Sequence, residues 1–206
     1  MRPSSASILT VFLAGCISAP ITPEGWETRR GNEVSCAALS GTFSGFGQSV
    51  SASSPVGHGS QLGQASLNGV LKVGAGPADA VHIEASPGVL ELISIYEATG
   101  YRGHRTLRES DGEFECHDGV ARIALDQSGR ILGRALETYG EVTRLLLSRS
   151  VDGALLIEEE TYGGGAVLLV LPVVVYQRKL YRFPIAEVLT LPHRQAPTGA
   201  GDSKQN

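Results

Sequence analysis

The stretch AVHIEASPGVLELISIY, residues 80–96, carries two apolar alternations joined by a Pro87-Gly88 turn. Val81, Ile83 and Ala85 fall on one side of an extended chain, with His82 and Glu84 on the other. Period two on both sides of a tight turn describes an antiparallel hairpin with one face buried and one solvated. The same signature recurs along the chain. Strands are expected over 39–46, 66–73, 80–85, 89–96, 101–107, 113–117, 120–125, 131–137, 142–149, 154–161, 166–175 and 180–185. Asp111-Gly112, Asp118-Gly119, Ser128-Gly129 and Asp152-Gly153 punctuate them as turn dipeptides. Asn68-Gly69 lies inside an apolar pattern and reads either as a turn or as a bulge. Residues 184–191 offer at most one or two helical turns. The expected fold is an all-β antiparallel meander with little helix, curled into a barrel or packed as a two-sheet sandwich.

The composition agrees. Of 206 residues, 42% are hydrophobic, enough to fill a core and to exclude wholesale disorder. The 26 glycines follow no collagen period and match a turn-rich chain. A net charge of -4 argues against a nucleic-acid partner, which calls for a basic face.

The N-terminus carries a separate signal. Arg2 is a short positive region, Ile8–Ala14 a compact apolar run, and Gly15-Cys16 follow. That order describes a secretory leader, and the run is too short to span a bilayer. Leu13-Ala14-Gly15-Cys16 resembles the lipobox of bacterial lipoproteins, with an ordinary signal peptide and an accidental cysteine as the bland alternative. The resemblance implies cleavage before Cys16, attachment of a diacylglyceryl group to its thiol and acylation of its new amino group. Two or more chains hold a protein stably on a membrane without spanning it. Ile17 and Ser18 follow where an Asp would retain an enteric lipoprotein in the inner membrane, so the outer membrane is favoured, with the inner as the alternative. A looser similarity to small lipoproteins of the Gram-negative envelope rests on Cys36 shortly before Leu39-Ser40-Gly41-Thr42-Phe43, on Phe114-Glu115-Cys116 and on Tyr181-Arg182-Phe183-Pro184. It carries no catalytic residues.

With Cys16 lipidated, Cys36 and Cys116 remain as an even pair in an exported chain, which points to a disulfide. The other reading is two reduced, separately buried thiols. The domain plan is a leader over 1–15, a lipidated N-terminus and flexible tether over 16–34, a single β domain over 35–191 and a disordered tail over 192–206. Trp26, the sole tryptophan, either docks on the domain or rests among headgroups. Residues 47–64 are rich in Gly, Ser and Gln and read as a long loop.

Catalytic and metal signals are sparse. His58, His82, His104, His117 and His193 form no metal-binding spacing. His82 and Glu84 share a strand face and would need a third ligand from a neighbour; a solvated face is the competing reading. The 41–45 segment fails as a nucleophile elbow because the serine is not central. Gly163-Gly164-Gly165 lacks the Lys-Ser/Thr of a phosphate loop. Glu158-Glu159-Glu160 reads as a solvated strand end, with Glu159 opposite the other two. Residues 166–175 (AVLLVLPVVV) are apolar on both faces, leaving three readings: a strand buried on both sides, one facing a hydrophobic cavity, or one exposed to a partner or membrane. Tyr176, Arg178, Lys179, Tyr181, Arg182 and Phe183 mix aromatics with cations, as a headgroup-facing patch or a solvated strand face.

The expected function is a non-enzymatic, lipid-anchored, periplasm-facing envelope protein with a structural, assembly or binding role and no cofactor. Its partners are the membrane, through the lipid, and envelope proteins or an apolar ligand. Two other readings are a carrier of a lipid or apolar small molecule in a barrel cavity and a periplasmic inhibitor of a lysozyme-type hydrolase, the latter using 47–64 as a plug. An enzyme would need His82, His104 or His117 to meet a carboxylate or hydroxyl in a cleft.

Overall fold

The computed structural model describes residues 22–28, 35–51, 61–125, 141–167 and 171–186; of Gln61, Glu141, 163–167 and 171–176 it describes the backbone alone. Eleven strands are described: β1 (Gly41–Ser44), β2 (Phe46–Ser51), β3 (Gln61–Ser66), β4 (Ala80–Ser86), β5 (Val89–Ile95), β6 (Arg102–Arg108), β7 (Phe114–His117), β8 (Val120–Leu125), β9 (Glu141–Arg149), β10 (Leu155–Val167) and β11 (Leu171–Phe183). They build a four-stranded sheet in the order β1-β4-β5-β6 and a seven-stranded sheet in the order β3-β2-β11-β10-β9-β8-β7. Every registered strand pair is antiparallel. The sheets form a sandwich, not a closed barrel: β1, β6, β3 and β7 each stand at an edge.

The core is the layer between the sheets. From the smaller sheet come Phe43, Val81, Ile83, Leu90, Leu92 and Leu107; from the larger come Ile123, Leu145, Leu147, Leu155, Ile157 and Phe183. Burying each such side chain contributes roughly 1.5–3 kcal/mol. Alternation sets the choice: in β4, Val81, Ile83 and Ala85 are buried while Glu84 is exposed.

Asp118-Gly119 and Pro87-Gly88 act as read. Asp118 and Gly119 both take positive φ, 49° and 74°, between β7 and β8. That is the backbone a two-residue hairpin needs to match strand twist, and Asp and Gly tolerate it. Gly88, at φ 71°, turns β4 into β5.

Several boundaries differ from expectation. The strand expected over 39–46 is a 3-10 turn (Cys36–Leu39), then β1, then β2. Gly45 carries the chain from one sheet to the other, and a Cβ there would lie 1.7 Å from the Ala78 carbonyl oxygen. Its amide donates to Asp79 O at 2.8 Å, and its carbonyl accepts from the Leu67 amide at 2.8 Å. The expected strand over 66–73 is replaced by β3's last residue and a one-turn helix, α1 (Leu67–Leu71). The Ser66 side chain caps it by accepting from the Gly69 amide, and Lys72 closes it in the left-handed region. Asn68 points inward there: its side-chain amide donates to Gly76 O and, at 2.9 Å, to the Tyr96 hydroxyl, and its side-chain oxygen accepts from Ser94.

Residues 47–64 are not one loop. Residues 47–51 and 61–64 pair as β2 and β3, leaving 52–60 outside the described residues. The strands expected over 154–161, 166–175 and 180–185 are one hairpin of two thirteen-residue strands, β10 and β11. Gly163–Gly165 extend β10 opposite Val173–Val175 instead of ending it. Pro172 lies opposite Ala166, beyond the stretch of β11 that pairs with β2, so it stands where β11 has one strand neighbour among the described residues. The strand expected over 131–137, the Ser128-Gly129 turn and the 192–206 tail lie outside the described residues.

Cys36 and Cys116 form a disulfide, S–S 2.04 Å, joining the 3-10 turn to edge strand β7 across 80 residues of sequence. Both cysteines pack with the inter-sheet core.

Leu147→Ala should lower unfolding free energy by about 2–5 kcal/mol in denaturant titration, because Leu147 is wholly buried. Leu62→Ser should change it by less than about 0.5 kcal/mol, Leu62 being exposed. Replacing Cys36 and Cys116 together by Ser should cost about 2–5 kcal/mol, and reductant should lower the wild-type denaturation midpoint while leaving that of the double variant unchanged.

Candidate functional site

Along the core-facing side of β10 the residues run Leu155, Ile157, Glu159, Thr161. The first two are fully buried, and the next two are polar. β11 repeats the change in reverse, with Phe183 and Tyr181 buried and Lys179 half-exposed. The inter-sheet layer therefore turns from apolar to polar at one end. There the larger sheet and the Ser66–Lys72 segment enclose a cleft of about 800 Å3. That volume falls within the ~300–1,000 Å3 of small-molecule sites.

Glu159 and Lys179 are register partners, with Lys179 Nζ 3.6 Å from Glu159 Oε1. The Tyr181 hydroxyl donates to Glu159 Oε2. The Glu159 side chain is 19% exposed, so its charge is held largely away from water by these two partners. Burial first, then the adjacent Glu159 carboxylate, push the Tyr181 phenol above its usual 10.0. Tyr181 thus stays a hydrogen-bond donor across the neutral range. Ser49, Ser51 and Thr143 add hydroxyls to the walls, Lys72 a second cation, and Val70 and Leu145 apolar patches. Thr143 also exchanges a 3.3 Å hydrogen bond with Thr161.

No family model, curated protein or solved structure matches the chain.

The residues singled out in the sequence are dispersed. Cys16 lies outside the described residues, as do His58 and His193. His82 and His104 lie on the outer face of the smaller sheet, with Ile93 between them in register. His82 Nδ1 meets Thr42 Oγ1 at 2.9 Å. His104 Nε2 lies 3.6 Å from Glu91 and 3.3 Å from Thr106 Oγ1. Both contacts fall on one ring nitrogen, whereas a general-base relay needs the orienting carboxylate on the other. His117 and Asp118 pair at 3.2 Å in an exposed turn. Among the described residues no group of three His, Cys, Asp or Glu side chains is placed to hold a metal.

The cationic-aromatic set is split by the strand period. Arg178 and Arg182 take the outer face, where Arg178 forks onto Glu158 and Arg182 pairs with Asp152. Lys179, Tyr181 and Phe183 take the inner face. The Tyr176 side chain lies outside the described ones, and among the described side chains of the set no single patch results. The glutamate run divides as expected, but Glu159 lines the cleft rather than ending a solvated strand. Only the register of β10 against β11 could have revealed this, by setting Glu159 opposite Lys179 beside inward Tyr181.

Trp26 docks. It is 7% exposed and packs with Val50, Leu156 and Leu180 on the outer face of the larger sheet. Thr28 bridges to Ser150, and the Val151 amide donates to Glu27 O at 3.2 Å. Residues 22–28, within the stretch read as a flexible tether, are thereby held on the domain by one large apolar side chain. A cavity of about 410 Å3 lies beside Trp26. Between the sheets lies a packed apolar core, not the interior of a closed barrel.

Tyr181 gives a pH signature. A phenol whose folded pKa is raised stabilises the fold fully below its unfolded pKa near 10, and that contribution declines as pH climbs past it. Wild-type protein should lose stability more steeply than Tyr181→Phe between pH 10 and 11.5, read as denaturation midpoints. Parallel profiles would show that Tyr181 ionises freely in the fold.

Proposed function

We propose that the chain is a lipid-anchored, non-enzymatic binding module of the bacterial envelope, held at a membrane by Cys16 and presenting its β-sandwich to the periplasm. One observation carries this: Arg2, the Ile8–Ala14 apolar run and Leu13-Ala14-Gly15-Cys16 stand in the order of a lipoprotein leader. The Cys36–Cys116 disulfide supports it, because such bonds persist in oxidising, extracytoplasmic compartments. Docking of Trp26 gives the anchor a consequence. Residues 17–21 separate a lipidated Cys16 from the segment held on the domain, which begins at Thr22, a reach of about 20 Å at full extension. The sandwich then stands close to the headgroups instead of ranging on a long tether, with the larger sheet's outer face nearest its point of attachment.

The binding role rests on the cleft, which combines a shielded carboxylate, two cations and several hydroxyls in a cavity of ligand size. The lysozyme-type inhibitor reading keeps only 52–60 as a plug, because the flanks of that stretch are strands.

Intact-mass analysis of the native protein should find a chain starting at Cys16 with diacylglyceryl and acyl additions. Cys16→Ser should move the protein from the membrane pellet to the soluble fraction nearly completely. A different start, or an unmodified Cys16, would remove the anchor.

A further inference from the structure

We propose that the polar cleft is a saccharide-binding site, an inference that rests on the binding-module reading and names its ligand class. Glu159 and Lys179 set an acceptor and a donor 3.6 Å apart at the cleft wall. Neighbouring ring hydroxyls of a sugar satisfy such a pair together: one donates to the carboxylate while the next accepts from the ammonium. A carboxylate has about four lone-pair sites, so the hydrogen bond from Tyr181 and the ion pair with Lys179 leave Glu159 able to accept more. Ser49, Ser51 and Thr143 both donate and accept, as sugar hydroxyls do. Val70 gives the carbon–hydrogen face of a ring an apolar surface.

Other ligand classes fit less well. A phosphate-bearing ligand would meet Lys72 and Lys179 but be repelled by Glu159 between the same walls. An amine would be drawn to Glu159 and repelled by Lys179. A lipid tail would strip water from at least four hydroxyl and charged groups without replacing their hydrogen bonds. A neutral, hydroxyl-rich ligand avoids all three penalties. The cleft volume of about 800 Å3 accommodates a short oligosaccharide rather than a lone small ion.

The test uses the full-length protein in a detergent free of sugar headgroups. Chitotriose, which carries acetamido groups, and maltotriose, which carries hydroxyls alone, are titrated separately by calorimetry up to about 10 mM. The chain has three lysines, Lys72, Lys179 and Lys204, so amine acylation read by mass spectrometry provides a footprint with its own reference. One or both sugars should bind saturably and slow acylation of Lys179 several-fold while leaving Lys204 unchanged. E159Q should weaken that binding by about tenfold or more, the loss expected when a charged acceptor becomes neutral. Should E159Q fail to fold, the wild-type footprint decides alone. Absence of Lys179 protection by either sugar overturns the proposal, and so does binding that folded E159Q retains in full. A chain lipidated at Cys16 that binds neither sugar loses the saccharide cleft and keeps the anchored-module reading; an unlipidated chain that binds one loses the anchor alone.

Discussion

The register of β10 against β11 is the constraint on which the rest depends. It sets Leu155 opposite Phe183, Ile157 opposite Tyr181 and Glu159 opposite Lys179. Side chains alternate with period two, so a slip of one residue would turn Leu156, Glu158 and Leu180 into the core and expel Ile157 and Tyr181. The two faces are both committed. Inside, β10 and β11 meet the apolar layer from the smaller sheet. Outside, Leu156 and Leu180 hold Trp26 and Val50, and Arg178 forks onto Glu158. A register with stakes on both faces resists slippage better than one with a single apolar side.

Much of this was legible from sequence where the signal was local. Asp118-Gly119 specified its hairpin because the two-residue turn needs positive φ at both positions. Val81, Ile83 and Ala85 specified the buried side of β4 by alternation alone. Signals failed where tertiary contacts overrode local pattern. Asn68-Gly69 sits in an apolar run that reads as strand, yet Ser66 caps a helical turn and Asn68 is drawn inward by Ser94, Tyr96 and Gly76. Gly163–Gly165 look like a stop and are passed through, because a glycine in a paired strand needs only an extended backbone opposite a partner. The cleft was hidden for a further reason. Glu159 lies within three consecutive glutamates, and only its cross-strand partners distinguish it from the other two.

Arg149 shows how the chain's N-terminal part is tied to this frame. Its guanidinium donates to the carbonyls of Ala38 and Ser40, both at 2.9 Å, and to that of Gly153, and lies 4.7 Å from the ring centroid of Phe43. One planar cation thus fastens the 3-10 turn to the β9–β10 corner while the disulfide fastens the same turn to β7. Arginine suits this because its fork reaches several acceptors at once, where lysine would present a single point charge. Segments before and after this turn are therefore fixed by three unlike forces: a covalent bond, a cation on carbonyls, and the apolar seat of Trp26.

The distribution of these fastenings explains why a polar cleft can exist in so small a domain. Disulfide, Arg149 clasp and Trp26 seat all gather near the β9–β10 corner and the Leu155–Phe183 end of the long hairpin, where the inward residues are also the most buried. The other end of the inner layer opens onto the cleft. Glu159, Lys179 and Thr161 can occupy inward positions there because burial is incomplete and each has a polar partner, so the desolvation penalty stays small. Replacing them by leucine would extend the core and close the cleft. Polar residues at these positions, with Gln177 opposite Thr161, keep this end of the inner layer open as a cleft where the neighbouring turn of both strands is apolar.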